Sequence, residues 1–499
     1  MCPEAFLDRL PCLSAVHIYA NKRMDSDDLR CYHICEQNSG EDMKKNETAI
    51  ENRKKATEIL SVYRKQKGMT QEELASIIGT TRSGISRVES GGQNISLDLY
   101  YSIADALGKR PEILMEELSE YHAEPCRYSL RIFDEDLITF TLRRDAGLTA
   151  TVEAVDEDKR ELFPLDLELT ADGMIKWLEH RSIPKNRAFV GEILNSLGLD
   201  VNDLKGAVDI GKALSVNDSY WVVPEGFPGK FDDYNLYEND FSEILSLVAY
   251  TGNERKIKAL DSSPELTTGG MLRKAWRAKG DKGIWLYKGG TEDFANAGNE
   301  PYSEFYACQV AEKMGLDAVH YELENWKGIL ASKCRLFTDK ELSYVPVGRI
   351  VREGGIRACL DYYRSLGDAF YDRLCSMLIF DTVILNEDRH FGNFGVLRHN
   401  RSGKIVAPAP IFDNGNSLLC YAMRSDFDDI DGYIAKRSNP YNMAFYDVAK
   451  MVMGPKQKEE LRRLINFRFT ESDLCNLPSW RLKALEEIIQ KRVTELLSM

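Results

Sequence analysis

The chain has 499 residues, which is too long for one ordinary hydrophobic core and predicts roughly two to four compact domains. Its composition, 43% hydrophobic and 29% charged with a mean hydropathy of −0.37, is typical of a soluble globular protein and excludes a largely disordered chain. A membrane protein is not expected, because even the most apolar run, residues 374–385, contains Asp381 and falls short of about 18 apolar residues.

The net charge of −14 argues against a chain that binds nucleic acid along its whole length. The N-terminus lacks a basic stretch followed by an apolar one, so no secretory signal is expected. The 11 cysteines are an odd number without a framework spacing, and reduced thiols in the cytoplasm are expected. Cys31, His33 and Cys35 form the densest group of metal-ligand side chains, but they match no zinc-module spacing, so the metal interpretation is not favoured.

The N-terminal part of the chain divides into an extension and a small helical domain. Residues 1–45 show no clear periodicity, and we expect a poorly ordered extension there. Residues 46–122 show short helical patterns separated by glycines, which is typical of a small helical bundle. Within it, residues 52–110 carry 10 basic and 6 acidic side chains, so a locally positive segment (+4) lies in an acidic chain.

Three short helices are predicted in this domain, over residues 57–67, 70–78 and 81–89. Thr70 and Glu73 have the spacing of a capping box at the start of the second helix. Four apolar residues have the positions that would close a core between the second and third helices: Leu74, Ile78, Ile85 and Val88. The pattern indicates a helix-turn-helix.

The polar residues left outside that core are the candidate DNA contacts. Residues at the start of the second helix of such a motif face base edges, while the start of the first helix can anchor a phosphate. Hydroxyls, amides and guanidinium groups suit both tasks. The candidates are Gln71, Thr81, Arg82, Ser83, Ser86 and Arg87.

Residues 70–75 (TQEELA) and 83–91 (SGISRVESG) strongly resemble the lambda-repressor or XRE-type helix-turn-helix family. The resemblance covers about a seventh of the chain and implies a double-stranded DNA operator as partner. Because such domains usually bind palindromic sites as dimers, it also implies a homodimer, although the sequence does not show what supplies the second copy. The alternative is a helical bundle used only for protein contacts.

The middle region, residues 123–255, is predicted to be a small α+β connecting domain. Alternating runs over residues 128–133, 137–142 and 148–152 predict an antiparallel sheet, and residues 174–180 and 188–197 predict helices. We assign no chemistry to this region from the sequence.

Beyond it, a strand-rich segment leads into a helical one. Residues 256–345 contain a strand over 283–288, a helix over 302–314 and a second strand group that ends near Leu336. Helical patterns dominate residues 346–499. A small β-rich lobe followed by a large helical lobe is the order of a two-lobed protein-kinase-like domain. The predicted fold class is therefore multidomain α+β: an all-α helix-turn-helix domain, a small α+β connecting domain and a two-lobed kinase-like domain.

The large lobe contains residues with the spacing of a phosphoryl-transfer site. Asp388 precedes Asn393 by five positions, the spacing at which one carboxylate can address an acceptor hydroxyl while an amide oxygen reaches a metal. Asp413 follows an apolar run and precedes Asn414-Gly415, so a turn would present a carboxylate suited to Mg²⁺. Upstream, Lys288 ends a predicted strand and Glu304 lies near the start of the following helix, as a phosphate-binding lysine and its orienting glutamate would.

The order Asp388-Arg389-His390 is reversed relative to the His-Arg-Asp of eukaryotic protein kinases. Residues 386–390 (NEDRH) together with Asn393 resemble the HipA-type serine/threonine kinases, the toxin kinases of bacterial toxin–antitoxin systems. Phosphoinositide kinases carry a similar Asp-Arg-His-x-x-Asn. The resemblance extends over about residues 260–450 and depends mainly on this motif, Lys288 and Asp413.

The resemblance implies ATP and Mg²⁺ as cofactors and a role for each matching residue. Asp388 would be the catalytic base, Asn393 and Asp413 would hold Mg²⁺, and Lys288 would bind the ATP phosphates. His390 would brace the loop. A weaker match places residues 334–338 at the hinge that meets adenine, with Leu336 and Phe337 as the contacts.

Residues 262–274 occupy the place where protein kinases have a glycine-rich loop, although they contain no G-x-G-x-x-G. In HipA-type enzymes the corresponding loop covers the phosphates and carries a serine that can be autophosphorylated. The hydroxyl candidates here are Ser262, Ser263, Thr267 and Thr268. The alternative is a plain glycine-containing turn.

Together, the motifs favour a single chain that binds DNA and phosphorylates a protein serine or threonine, and that regulates its own promoter. Two other functions stay open: a transcriptional regulator with a nucleotide-sensing pseudokinase domain, and a lipid or small-molecule kinase. The presence of Lys288, Asp388, Asn393 and Asp413 argues against a pseudokinase, because lost activity usually leaves at least one such residue substituted.

Overall fold

The computed structural model describes residues 60–65, 67–90, 97–108, 126–144, 148–199, 201–253, 255, 263–278, 280, 283–292 and 297–499. The chain forms two compact units, which divide between Glu124 and Pro125. The expected extension over residues 1–45, the Cys31–His33–Cys35 group and Ser262 lie outside the described residues. Within the second unit, the domain boundaries near residues 255 and 345 stay predictions.

The first unit contains the predicted helix-turn-helix. Residues 60–65 are helical, and three complete helices follow: α1 (Gln71–Ile78), α2 (Arg82–Glu89) and α3 (Leu97–Leu107). The predicted capping box is present at α1, and Gly79 ends that helix with a left-handed φ of 73°. The core between the helices includes Leu74, Ile85 and Val88, with Ile78 packed at its margin. The predicted core is therefore confirmed, and α3 adds Ile103 to it.

The second unit begins with a four-stranded antiparallel sheet of order β3-β2-β1-β4. Its strands are β1 (Cys126–Ile132), β2 (Glu135–Arg144), β3 (Leu148–Val155) and β4 (Tyr220–Pro224). The first three strands were predicted, but β4 was not. It is a short, buried apolar strand without alternation, and it pairs with a partner about ninety residues away. Such runs have no periodicity that separates a strand from a buried helix.

Four helices of the middle region form two pairs: the first and third share the core of this sheet, and the second and fourth pack against each other and against Leu266. They are α4 (Ala171–Glu179), α5 (Val190–Ser196), α6 (Leu204–Gly211) and α7 (Glu243–Thr251). Trp221 of β4 shares a hydrophobic cluster with Trp276 and Leu286, which belong to the following sheet. The middle region therefore shares a core with the strand-rich lobe.

The strand-rich lobe is an antiparallel sheet of order β5-β6-β8-β7, with one long helix. Its elements are β5 (Lys274–Ala278), β6 (Ile284–Gly289), α8 (Glu300–Met314), β7 (Tyr321–Trp326) and β8 (Ile329–Arg335). In the β5–β6 ladder Lys274 lies directly opposite Lys288. Residues that are directly opposite in a ladder project to the same face, so the two lysines share one side of the sheet.

The helical lobe starts with β9 (Leu342–Pro346), which forms a small sheet of order β11-β10-β9 with β10 (Gly395–His399) and β11 (Ile405–Pro408). The helices are α9 (Val347–Ile350), α10 (Gly355–Leu366), α11 (Asp368–Ile384), α12 (Ile430–Ala435), α13 (Phe445–Val452), α14 (Pro455–Arg462) and α15 (Ser479–Ser498). The strands β10 and β11 lie where only helical patterns were noted. The central helix α11 is buried from Leu374 to Ile384, which explains its nearly uninterrupted apolar sequence.

Across the described helices, none combines the length and the apolar character that a bilayer crossing requires.

Candidate active site and DNA-binding surface

The loop with the sequence NEDRH is built on a buried ion pair. Helix α11 ends at Ile384 and is capped by Leu385, which has a left-handed φ of 56°, and Asp381 lies in the last turn of the helix. The fully buried guanidinium of Arg389 donates to both carboxylate oxygens of Asp381, at 3.0 Å each. Asn386 also donates to Asp381, at 3.0 Å. The helix end and the loop are therefore fixed by one carboxylate that the sequence analysis did not single out.

Around this pair, the loop leaves the Asp388 side chain exposed. The backbone N–H of Asp388 donates to the Asn386 side-chain oxygen at 3.0 Å, and Asn393 Nδ2 donates to the Asp388 carbonyl at 3.0 Å. His390 Nδ1 accepts from the Gly392 N–H at 3.0 Å, a contact within the loop, and its bracing role stays a prediction. Desolvation raises the pKa of the Asp388 carboxyl, His390 opposes this shift, and the charge of Asp413 adds to it.

Asp413 lies in a tight turn that is tied to both lobes. Its φ of 57° is left-handed, and its N–H donates to the Tyr321 hydroxyl at 3.1 Å. The next N–H, of Asn414, donates to Glu304 Oε2 at 2.9 Å. Arg389 donates to the Asn414 side-chain oxygen at 2.5 Å and to the carbonyl that precedes Asp413. The loop of Asp388 and the turn of Asp413 are thereby held against each other.

Lys288 forms the predicted ion pair with Glu304, at 2.7 Å, and a second one with Asp413, at 2.5 Å. Burial by itself disfavours the charged ammonium, but Asp413 and Glu304 outweigh it and raise the pKa of Lys288 above its usual range. Likewise, burial acts to protonate Asp413, but Lys288 and Lys274 outweigh it and lower its pKa. Asp413 is therefore ionised at neutral pH.

Lys274 is a site residue that the sequence analysis missed. It is buried in β5 directly opposite Lys288. Burial and the charge of Lys288 together lower the pKa of Lys274 to about 8, while Asp413 opposes that shift. The two ammonium groups lie on one face of the sheet beside the carboxylates of Glu304 and Asp413, and their N–H donors can bind the oxygens of a phosphate. The β5–β6 hairpin pairing could have suggested Lys274, but only after its register was known.

The segment before β5 forms a compact loop, residues 263–274, which we call the candidate phosphate loop. Ser263 is buried and its hydroxyl accepts from the Glu265 N–H at 3.3 Å. Thr267 is also buried and donates to the Leu214 carbonyl at 2.9 Å. Thr268 is half-buried and donates to the Pro264 carbonyl at 2.6 Å. Of the described candidates, Thr268 is the least buried.

The predicted hinge follows β8. The Leu336 N–H donates to the Ile284 carbonyl at 2.9 Å, which continues the sheet by one residue. The Phe337 ring lies 5.3 Å from the Phe412 ring and 5.6 Å from the Tyr344 ring, measured between centroids. This aromatic cluster joins the end of the strand-rich sheet to the residue before Asp413.

In the first unit, the candidate DNA contacts differ in accessibility. Thr81, Ser83 and Arg87 are exposed, whereas Arg82 and Ser86 are half-buried. The Thr81 hydroxyl caps α2 by accepting from the Gly84 N–H at 3.1 Å. Gln71 Nε2 donates to Glu89, which also holds the buried Arg64 at 2.7 Å. A phosphate contact by Gln71 would therefore compete with an existing hydrogen bond.

The side chains beside the loop of Asp388 suit the binding of a magnesium nucleotide. Asn393 donates through Nδ2 to a backbone carbonyl, which leaves its amide oxygen as a ligand, and Asp413 is an ionised carboxylate. Amide and carboxylate oxygens are the ligands that Mg²⁺ prefers, and Lys288 with Lys274 supplies positive charge for phosphate oxygens.

Comparison with known proteins gives matches to both units. A helix-turn-helix family model matches residues 60–114. The chain is 45% identical over 51 residues to an uncharacterized HTH-type transcriptional regulator of Methanothermobacter thermautotrophicus, covering 10% of this chain and 74% of that protein. It is 26% identical over 181 residues to the serine/threonine-protein kinase CtkA of Helicobacter pylori, covering 30% of this chain and 54% of CtkA. The chain thus spans about half the length of that kinase.

Two solved structures are similar to this chain. The crystal structure of the Helicobacter pylori proinflammatory kinase CtkA has 18% identity and a TM-score of 0.35, covering 46% of this chain and 92% of that one. The Shewanella oneidensis MR-1 toxin–antitoxin complex of HipA, HipB and operator DNA has 12% identity and a TM-score of 0.42, covering 74% of this chain and 99% of the matched chain.

The fold class is a helical DNA-binding-type domain followed by a mixed α+β, kinase-like region, as predicted. The chain belongs to the helix-turn-helix family through residues 60–114, of the XRE type, and 181 of its residues are similar in sequence to the kinase CtkA.

Proposed function

We propose that this protein is an ATP-dependent serine/threonine protein kinase that also binds operator DNA and regulates its own transcription. The observation that carries the kinase proposal is the convergence of Lys288, Glu304 and Asp413 at 2.5 to 2.7 Å, beside the loop of Asp388. These residues come from a strand, a helix and a turn that are far apart in sequence. A purely structural ion pair would not need the second lysine on the same face.

In the proposed mechanism each residue has one task. Lys288 and Lys274 bind the phosphate oxygens of ATP, and Glu304 keeps Lys288 in place. Asn393 and Asp413 would hold Mg²⁺, which supplies charge neutralisation at the phosphates when it is bound. Asp388 accepts the proton of the acceptor hydroxyl while the hydroxyl oxygen bonds to the γ-phosphorus and the bond to the ADP oxygen breaks. The raised pKa of Asp388 suits a general base.

The DNA-binding part of the proposal is supported by the matched helix-turn-helix and by the exposed polar side chains at the start of α2. We propose that Thr81, Ser83 and Arg87 contact an operator and that a homodimer recognises its two halves. In this proposal the DNA-binding domain and the kinase-like region act in one chain, as a cytoplasmic bacterial kinase of the toxin–antitoxin type. The DNA-binding domain would repress the promoter of the chain's own gene. Its acceptor would be a serine or threonine of another protein or of the candidate phosphate loop.

The decisive experiment is phosphate transfer from labelled ATP with Mg²⁺ to the chain itself and to the proteins of a cell extract. Wild type is compared with Asp388→Asn, and with Asp361→Asn as a matched control on the exposed surface of α10. We expect labelled protein with wild type and the control. Loss of Asp388 should lower transfer by about 10² to 10⁴-fold.

Other outcomes would favour other functions. If ATP binds but labels no protein, and if it changes operator affinity, the nucleotide-sensing regulator becomes the better proposal. Labelled phosphate in lipids or small molecules, and not in protein, would indicate a lipid or small-molecule kinase.

A further inference from the structure

The middle region, to which the sequence assigned no chemistry, contacts the candidate phosphate loop through a buried arginine. Arg187 lies between α4 and α5 and is 2% exposed. It forms an ion pair with Glu265 at 2.5 Å, in which both side chains are completely buried. Glu265 belongs to the short helical turn Pro264–Leu266 at the start of the loop.

The same guanidinium also binds three backbone carbonyls of the loop. Arg187 donates to the carbonyls of Glu265 at 2.7 Å, Thr268 at 3.3 Å and Lys274 at 3.0 Å. One side chain therefore contacts the beginning, the middle and the end of the candidate phosphate loop. Because the planar guanidinium has donors at fixed directions, it determines how far apart these three points lie.

The Glu265 carboxylate closes the arrangement from the other side. Its Oε1 accepts from the Trp276 N–H in β5 at 2.6 Å, while Oε2 accepts from Arg187. The loop is thus tied back onto the strand that carries Lys274. The exposed residues 269–270 at its tip are left outside this clamp.

Stability alone is a poor explanation for such a pair. Desolvation of two charges costs about as much as their attraction returns, and well-packed apolar residues are often at least as stable. Arg187 also leaves its Nε buried without a hydrogen-bond partner within the described part of the chain, which is a further cost. A fixed loop geometry is what this arrangement adds.

We propose that Arg187 is a positioning residue for phosphoryl transfer: from the middle region, it holds the candidate phosphate loop next to Lys274 and Lys288, which the strand register places side by side. This inference rests on the proposed function, because it assumes that the two lysines bind the phosphates of ATP. It gives the middle region a defined task, which is to hold the nucleotide-binding loop in its active geometry.

The test compares two buried arginine–carboxylate pairs of the same region. Arg187→Lys keeps the charge but removes the fork of donors. Arg181→Lys is the matched control, since Arg181 pairs with Asp218 at 2.7 Å and donates to the carbonyls of Ala213 and Tyr220, none of which belongs to the loop. The double variant Arg187→Met with Glu265→Gln removes both charges together and avoids an uncompensated buried carboxylate. For each chain, KM for ATP, kcat and Tm are measured.

We expect both Arg187 variants to raise KM for ATP by about 10- to 100-fold, as a displaced binding group does, with a smaller change in kcat. The Arg181→Lys substitution should lower Tm about as much as the Arg187 substitutions do, but it should leave KM for ATP unchanged. An unchanged KM in the folded Arg187 variants would overturn the inference while the kinase proposal stands. Failure of wild type to bind ATP would overturn the proposed function, and the inference with it.

Discussion

The conformation of the candidate catalytic loop depends on a single pair of residues, Asp381 and Arg389. Arg389 is fully buried and donates to Asp381, to the Asn414 side chain and to the Asn393 carbonyl. The arginine of the motif is therefore a structural centre, and the carboxylate beside it in sequence, Asp388, is free for chemistry. In the order Asp-Arg-His, the arginine is thus buried and holds the loop, while the aspartate before it stays exposed.

Removal of Asp381 should destabilise the chain strongly. Asp381→Ala leaves the Arg389 charge buried without its carboxylate, and the loss of one partner of a buried pair typically costs about 3–5 kcal/mol. Chemical denaturation measures the change in the free energy of unfolding. In contrast, Asp361→Ala breaks only an exposed pair with Arg364 and should change it by less than about 0.5 kcal/mol. Equal effects of the two substitutions would contradict this assignment.

Because Lys274 lies in the candidate site with a lowered pKa, we expect ATP binding to depend on pH. Its pKa is lowered to about 8 by burial and by Lys288, and bound phosphates would restore its charge, so binding should take up a proton near that pH. The affinity for ATP is then highest below about pH 8 and decreases as the pH rises through that value. In the ATP-free chain the sign is opposite: above about pH 8 the unfolded state binds more protons than the folded state, so stability rises with pH.

Calorimetry in buffers with different ionisation enthalpies measures this proton uptake directly. Lys274→Met should bind ATP more weakly and should lose the uptake near pH 8. If the variant retained the same pH profile as wild type, another group would be responsible.

At the scale of elements, the candidate phosphate loop depends on one glycine. Gly270 has a left-handed φ of 86°, and a Cβ added there would overlap Lys274 Nζ. The neighbouring Gly269 has open space around it and no such φ. The two adjacent glycines therefore differ in what they permit.

Gly270→Ala should displace the Lys274 ammonium and raise KM for ATP, and its left-handed φ should add about 1 kcal/mol of strain. Gly269→Ala is the matched control and should leave KM within experimental error. Both variants can be compared by steady-state kinetics at one pH. A similar KM for both would show that the geometry of Lys274 does not matter for nucleotide binding.

Elements with local sequence patterns were predicted well, and those that depend on distant partners were not. The capping box of Thr70 and Glu73 and the strands β1 to β3 follow from residues within a few positions of each other. By contrast, β4 pairs across about ninety residues, and β10 with β11 lies within a sequence dominated by helical patterns. Such strands are fixed by the sheet they join.

At the scale of the whole molecule, the two compact units predict two separable activities. Arg87→Ala should weaken binding to a DNA fragment from the chain's own promoter by about 1–3 kcal/mol and leave phosphoryl transfer unchanged. Asp388→Asn should abolish most phosphoryl transfer and leave DNA binding unchanged. Fluorescence anisotropy with labelled DNA, together with the transfer assay, gives both values for each chain. Loss of both activities in either variant would show that the units depend on each other.

The sequence alone determined the features that are carried by contiguous residues. The helix-turn-helix follows from helical periodicity and capping, and the loop from Asp388 to Asn393 has its chemistry within six residues. Lys288, Glu304 and Asp413 could be proposed because their order along the chain matches a known arrangement, although their contact could not be shown without the fold.

Only the tertiary structure decided which residues surround these groups. Lys274 reaches the site through strand register and Asp381 through the end of a helix. Arg187 contacts the candidate phosphate loop, about eighty residues further along the chain, through hydrogen bonds from its guanidinium. No sequence periodicity encodes these contacts, because the residues that meet are tens to hundreds of positions apart. When such segments pack together, a charge that becomes buried is stable only beside a partner of opposite charge or a hydrogen-bonding group.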